Sequence, residues 1–288
     1  MQWKLLAPAV AALAVVTIPA AAQELTGTLK KIKDSGAITL GHRESSVPFS
    51  YYDDRQQVVG YAMDLCNGIV DAVKKDLKVD KLEVKLNPVT SATRIPLMAN
   101  GTIDLECGST TNNAERQKRV AFSPVIFVSG TKLLVKRPVK IRSYRDLKDK
   151  TVVVTAGTTN QAAMKTLSDK QKLAIRFVVA PDHPHSFALV DKGKADAFAT
   201  DDVLLYGFIA TAKNASDMKV VGEYLSYDPY GLVYRRDDPA FAAVVERTFA
   251  RIASERRLAE LYNKWFLRKL PTGETLNLPP SPQLEEVF

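Results

Sequence analysis

Leu105-Glu106-Cys107-Gly108-Ser109-Thr110-Thr111-Asn112-Asn113-Ala114-Glu115-Arg116 reads as a strand that stops at Gly108, a hydroxyl-rich turn, and a helix opening near Asn112. A helix start leaves backbone N–H groups unpaired and carries partial positive charge, so it suits an anion. Ser109 and Thr111 add hydroxyls, and Arg116 adds a planar fork of donors matched to a carboxylate. Taken alone, the stretch is equally well an N-cap cluster beside a solvated arginine. Its weight comes from further pieces of the same kind on either side.

Upstream, helix and strand patterns alternate. The spacing predicts a helix over Leu29–Ser35, a strand over Ala37–Gly41, and a strand and turn over Pro48–Asp54. An amphipathic helix follows over Tyr61–Leu77, with Cys66, Ile69, Val70, Val73 and Leu77 on one stripe. A strand over Leu82–Leu86 runs into the Ser91 loop, and a helix over Arg94–Ala99 is closed by Asn100-Gly101. Such alternation argues for a parallel sheet flanked by helices.

Downstream, a second unit repeats the plan. Strands are expected over Thr151–Thr155, Ile175–Val179 and Ala197–Thr200, with helices over Gln161–Leu167 and Phe187–Val190. Leu97 to Leu105 and Leu189 to Ala197 share a helix, a Gly stop and an Asp before a strand at equal spacing, as two similar lobes would. Two extended passages, Val125–Val135 and Glu223–Tyr234, link the units as a two-strand hinge that permits rigid-body opening. Helices resume over Phe241–Ile252 and Leu258–Phe266, and the tail after Pro271 reads as a strap over the surface. The expected division is a leader over 1–22, one lobe from 23–128 plus 229–288, and the other from 129–228.

Residues 1–22 read as a secretory signal peptide: Lys4 in the n-region, an apolar run from Leu5 to Val16, and Ala20-Ala21-Ala22 before cleavage. An uncleaved anchor is the alternative, though Pro8 and Pro19 break the run and it is short for a membrane span. The net charge of +8 is spread along the chain, with no basic block suggesting a nucleic-acid face. It favours anionic small molecules by steering. Of the two cysteines, Cys66 and Cys107, both sit on apolar positions, where they can pair or remain buried thiols. Neither has metal-ligand spacing, and no metal or cofactor is expected.

In open α/β sheets, ligands bind beyond the carboxyl ends of the strands. Those ends carry Arg43; Ser91 and Arg94; Ser109, Thr111 and Arg116; Thr159; His183; and Asp201. Three arginines exceed the need of one carboxylate, and buried cations are costly without anionic partners, so the set suits a ligand with two acidic groups. Asp201 would then take an ammonium. The plainer readings pair Arg43 and Arg94 with Glu44 or Asp64 at the surface, make Asp201 and Asp202 helix caps, leave His183 in a loop, and use Tyr51 and Tyr52 for packing.

Gly41-His42-Arg43-Glu44-Ser45-Ser46-Val47-Pro48-Phe49-Ser50-Tyr51, the Cys107–Arg116 stretch, Phe122-Ser123-Pro124, Gly157-Thr158-Thr159 and Asp182-His183 together resemble the periplasmic glutamate/aspartate-binding proteins of ABC importers. The resemblance implies a Venus-flytrap α/β fold: two lobes, each a small, mostly parallel sheet flanked by helices, closing on one free amino acid. It implies Arg116, Thr111 and Thr159 on the α-carboxylate, and Asp201 and Ser109 on the α-ammonium. Arg43, Ser91, Arg94 and His183 would surround the side-chain carboxylate. Pro184 and His185 depart from the close relatives' pattern and put the role of His183 in doubt. The implied protein is a periplasmic monomer that binds L-glutamate or L-aspartate, delivers it to a membrane permease, and has no catalytic residue.

Two rivals use other classes of function. Periplasmic cyclohexadienyl dehydratases are similar in fold and take dicarboxylate-like substrates. Such chemistry needs a proton-transfer group, for which Glu106 and His183 are the candidates, and Glu106 can equally point away from the pocket. A Ser186-His183-Asp182 triad fails, because sequence neighbours lack triad geometry and no nucleophile elbow is present. A receptor ectodomain would call for a transmembrane or signalling segment beyond the leader.

Overall fold

The structure, a computed structural model, describes residues 25–285. The expected signal peptide lies outside the described residues. A helix over Gly27–Ser35, ended by Gly36 with φ of 67°, leads into β1 (Ala37–His42). A small antiparallel sheet follows, formed by β2 (Ser45–Ser46), β3 (Ser50–Tyr52) and β4 (Val58–Val59). The helix Tyr61–Leu77 has the predicted bounds and buries Cys66, Ile69, Val70, Val73 and Leu77 along its inner stripe. Then come β5 (Glu83–Pro88), the helix Arg94–Ala99, β6 (Leu105–Cys107), a single turn over Ala114–Gln117, and β7 (Val120–Phe122).

The chain crosses on β8 (Phe127–Ser129) and builds the second unit. This runs β9 (Thr131–Lys136), β10 (Thr151–Thr155), helix Thr159–Gln171, β11 (Arg176–Ala180), helix His183–Asp191, β12 (Ala197–Asp201), helix Asp202–Thr211 and β13 (Met218–Val221). It returns on β14 (Asp228–Tyr230) and re-enters the first sheet as β15 (Val233–Arg235) before the helix Pro239–Ser254.

The sheets run β5-β1-β6-β15-β7 and β11-β10-β12-β9-β13, the same order in each lobe. Four of the five strands in each point one way, and the fifth, β15 or β9, is the strand that enters from the crossing. The crossings β8 and β14 pair antiparallel, as the two extended passages predicted. Phe127 and Tyr230 from this pair pack on Phe49 of the first lobe at ring-centroid distances of 5.1 Å each, so the hinge is seated on that lobe's aromatic core.

The repeated Asp is structural in both lobes. Asp104 accepts the Thr39 N–H at 2.9 Å, and Asp196 accepts the Thr151 N–H at 2.8 Å, each one residue before its strand register begins. In both lobes this carboxylate pins the start of the central strand. The tail behaves as a strap: the Leu278 N–H donates to the Phe266 carbonyl, and Leu276, Leu278 and Leu284 pack on the first lobe.

Some boundaries differ from expectation for local reasons. The turn expected from Asn112 starts at Ala114, because the Asn113 side chain caps it by accepting from the Arg116 N–H. The helix expected at Phe187 starts at His183, because Asp182 caps it and Pro184 fits its first turn. His183 is therefore a helical residue, not a loop residue. Thr158 likewise caps the helix expected from Gln161 and brings its start to Thr159.

The cysteines are bonded: Cys66 on the helix Tyr61–Leu77 joins Cys107 on β6, 41 residues apart in sequence and fully buried. Closing a loop of that length removes about 4 kcal/mol of denatured-state entropy on a chain-entropy estimate. The Cys66→Ala/Cys107→Ala variant should lose stability of that order in urea titrations. Thiol titration of denatured, non-reduced protein should find no reactive thiol, and two would contradict the bond.

Candidate functional site

The parallel strands of both lobes aim their carboxyl ends at one cleft. From the first lobe, β1 delivers Arg43, β5 leads to Ser91 and Arg94, and β6 leads to Ser109, Thr111 and Arg116. From the second, β10 leads to Thr159, β11 to His183, and β12 ends on Asp201. The geometry brings all nine together, seven of them buried and Arg116 and Thr159 half-buried.

In the first lobe, Arg43 is fixed by its backbone, whose N–H donates to Ser50 Oγ at 2.8 Å. Its Nη2 donates to Ser91 Oγ at 3.2 Å, while its buried Nη1 has no protein partner. Arg94 opens its helix and donates through Nη1 to the Ser109 carbonyl at 2.9 Å and to Thr110 Oγ1 at 2.5 Å. Thr110 in turn donates to Glu106 Oε2 at 2.7 Å. Arg94 Nε, Ser109 Oγ and Glu106 Oε1 are buried without protein partners. Burial, then the neighbouring Arg94 charge, pulls the Arg43 pKa down to about 10, with Glu106 opposing. Arg94 is lowered by burial too, again against Glu106.

Arg116 spans the cleft. Its Nη1 donates to the Thr111 carbonyl at 2.8 Å, and its Nη2 to the Gly157 carbonyl of the other lobe at 3.2 Å. Burial and then Arg94 lower it to about 10. The turn that carries it has four residues, too short for an appreciable dipole, so anion affinity here rests on the guanidinium fork. Thr159 donates to Asp228 on β14 at 2.9 Å and lies 3.4 Å from the Thr111 hydroxyl across the cleft.

In the second lobe, Asp201 accepts from Asn160 Nδ2 at 2.8 Å and from the Tyr230 hydroxyl of the hinge. It stands at the cap position of its helix without capping it, which leaves its carboxylate to Asn160 and Tyr230. Burial, reinforced by the Asp228 charge, pushes its pKa up to about 7. His183 Nδ1 lies 2.9 Å from Thr155 Oγ1, and burial, followed by the Arg43 and Arg94 charges, keeps it well below the usual imidazole range. The ring is neutral and can donate or accept but supplies no charge. His185 turns outward to Asp182 at 2.7 Å, and Pro184 serves the helix start, so their departure from the family pattern leaves His183 in the cleft.

The lobes are in contact. Gly157, at φ of 75°, has no room for a side chain: a Cβ would sit 2.6 Å from Ala92 Cα across the cleft. Arg43 and Arg94 pair with neither Glu44 nor Asp64, and Asp64 is taken by Lys264 and Trp265. Tyr51 packs against Trp265 with centroids 6.2 Å apart.

Sequence reasoning missed Thr110, Asn160, Asp228 and Tyr230, and left Glu106 free to face away. Glu106 faces inward. The Gly108 beside it was the available signal, since a Cβ there would collide with both Glu106 Oε1 and Arg43 Cγ. Among the described residues, no cluster of His, Cys, Asp and Glu is arranged to hold a metal.

The profile of bacterial extracellular solute-binding proteins, family 3, matches residues 38–268. The glutamate/aspartate import solute-binding protein of Escherichia coli is 46% identical over 269 residues, 93% of this chain and 89% of its own. An ancestral arginine-binding protein bound to arginine superposes with a TM-score of 0.71 at 27% identity, covering 80% of this chain and 98% of its own. An ancestral amino acid-binding protein described as a precursor of cyclohexadienyl dehydratase gives 0.69 at 28% identity, covering 83% and 99%.

Asp201 also predicts a pH dependence. Its folded pKa of about 7 lies above the unfolded value near 3.9. The stability linked to its proton is therefore fully present below about pH 4 and is lost as pH rises through about 7. Urea titrations of ligand-free Asp201→Asn should show a shallower decline between acidic and neutral pH than the parent. An equal decline would contradict the assignment.

Proposed function

The chain belongs to the bacterial extracellular solute-binding proteins, family 3, and on that premise we propose that it binds one free acidic amino acid, L-glutamate or L-aspartate. It closes its lobes on the ligand and hands it to the permease of an ABC importer. The observation that carries this reading is the convergence of two buried arginines, each with a donor that has no protein partner. A side-chain carboxylate supplies the acceptors those donors require.

In this reading Arg116, with Thr111 and Thr159, grips the α-carboxylate. Asp201 and Ser109 take the ammonium. Arg43, Ser91, Arg94 and His183 surround the side-chain carboxylate. The moving bodies are 23–128 with 229–288, and 129–228, hinged on β8 and β14. Ligand docks on the first lobe, and the second brings Thr159, His183 and Asp201. Closure excludes water and strengthens each charge-assisted bond. The permease then reads the closed state, so ligand acts by shifting a two-state population. Residues 1–22 are taken as the export signal, and the mature protein works as a periplasmic monomer.

Binding without chemistry is the better reading of the two proton-transfer candidates. His183 is held by Thr155 and surrounded by cationic arginines, while Glu106 accepts from Thr110 through Oε2 and lies between Arg43 and Arg94, whose charges favour its ionised form.

Calorimetry on protein unfolded and refolded to strip carried ligand provides the test. Glutamate or aspartate should bind one to one, with arginine silent. Arg116→Ala should abolish binding of every amino acid. Arg94→Ala should weaken acidic ligands by at least about 30-fold, the cost of leaving a buried charge unpaired. Equal loss for acidic and neutral ligands would remove Arg94 from the side-chain pocket.

A further inference from the structure

We infer that Glu106 sets the charge class of the ligand: with Arg43 and Arg94 it forms a buried pocket of one net positive charge, which admits a singly charged side chain and rejects a doubly charged one. This rests on the acidic-amino-acid reading of the site.

The count follows from the neighbours. Arg43 and Arg94 are buried, and the carboxylate common to both, and the stronger at each, is Glu106, itself fully buried; Asp182 acts on Arg43 and Asp201 on Arg94 more weakly, and the Tyr230 hydroxyl stays protonated. Thr110 joins Glu106 to Arg94, accepting from the guanidinium and donating to the carboxylate, so one hydroxyl holds the two charges beside each other. The missing side chain at Gly108 leaves the room in which Glu106 Oε1 lies against the Arg43 stem. His183 is neutral and does not alter the sum. Arg116 and Asp201 sit toward the hinge and answer the α-groups.

Two guanidiniums and one carboxylate leave one positive charge, which a single side-chain carboxylate cancels. A second negative charge would enter a water-free pocket with no cation left to meet it, and such burial is strongly unfavourable. Glu106 thus acts both as a positioning residue for Arg94 and as a ceiling on ligand charge.

The probe is O-phospho-L-serine, similar in length to glutamate, whose side chain passes from one negative charge to nearly two as pH rises past about 6. Calorimetry with the full mature protein should compare it with L-glutamate between about pH 6 and about pH 8; if only the singly charged form binds, the ratio of the two Kd values rises about 50-fold. Effects of pH on groups that meet both ligands cancel in that ratio. In Glu106→Gln, which keeps an acceptor for Thr110, the rise should nearly vanish. A merely structural Glu106 would weaken both ligands together and leave the pH dependence of the ratio unchanged.

A flat ratio in the parent protein, or an undiminished rise in Glu106→Gln, overturns the inference. Silence toward phosphoserine at both pH values does so as well, because shape and not charge then excludes it. Should Glu106→Gln fail to fold by circular dichroism, the parent series decides alone. Failure of the parent to bind glutamate at all would instead sink the acidic-amino-acid reading, a separate outcome.

Discussion

Stripping water from a guanidinium is expensive, and this cleft does so to Arg43 and Arg94 fully and to Arg116 in large part. Much of the surrounding structure follows from that cost. Backbone carbonyls of Ser109, Thr111 and Gly157 accept from the arginines, hydroxyls of Ser91 and Thr110 accept more, and Glu106 offsets part of the charge. The donors left over define what the cleft still requires: acceptors, negatively charged and limited in number. Affinity for an acidic ligand is thus prepared by the fold before any ligand arrives.

The second constraint is that the same groups must separate and meet again. The two sheets share one topology, each with its entering strand reversed, so the chain crosses twice and the crossings pair side by side. Tyr230 and Asp228, both on a crossing strand, hold Asp201 and Thr159 of the second lobe. The hinge therefore touches two of the groups proposed to close on the ligand. Asp201 is also where burial and the Asp228 charge on that strand push a carboxyl pKa up to about 7.

Much of this was legible in the sequence. Alternating apolar patterns located the helices over Tyr61–Leu77 and Arg94–Ala99 and the strand over Thr151–Thr155 at their observed bounds, because burial on one stripe or both faces writes a strong period. The short repeat around Asp104 and Asp196 marked a real equivalence. Strand-end loops nominated nine residues that do converge, since α/β topology alone brings such ends together. Helix starts after loops were less visible: Asp182 and Thr158 cap through side chains whose geometry spacing does not reveal. The disulfide stayed open because pairing depends on a distance between helix and strand. Glu106 was ambiguous for a deeper reason. On a strand buried on both faces, alternation does not say which side is the pocket, and only the collision at Gly108 resolves it.

The central claim is a division of labour among the arginines, with the ligand's side-chain carboxylate on Arg43 and Arg94 and its α-carboxylate on Arg116. A crystal structure of the stripped protein soaked with L-glutamate tests it most directly. Side-chain oxygens should lie about 2.7–2.9 Å from Arg43 Nη1 and Arg94 Nε, as charge-assisted bonds require, with the ammonium against Asp201. A ligand seated the other way round, its α-carboxylate on Arg43 and Arg94, would contradict it.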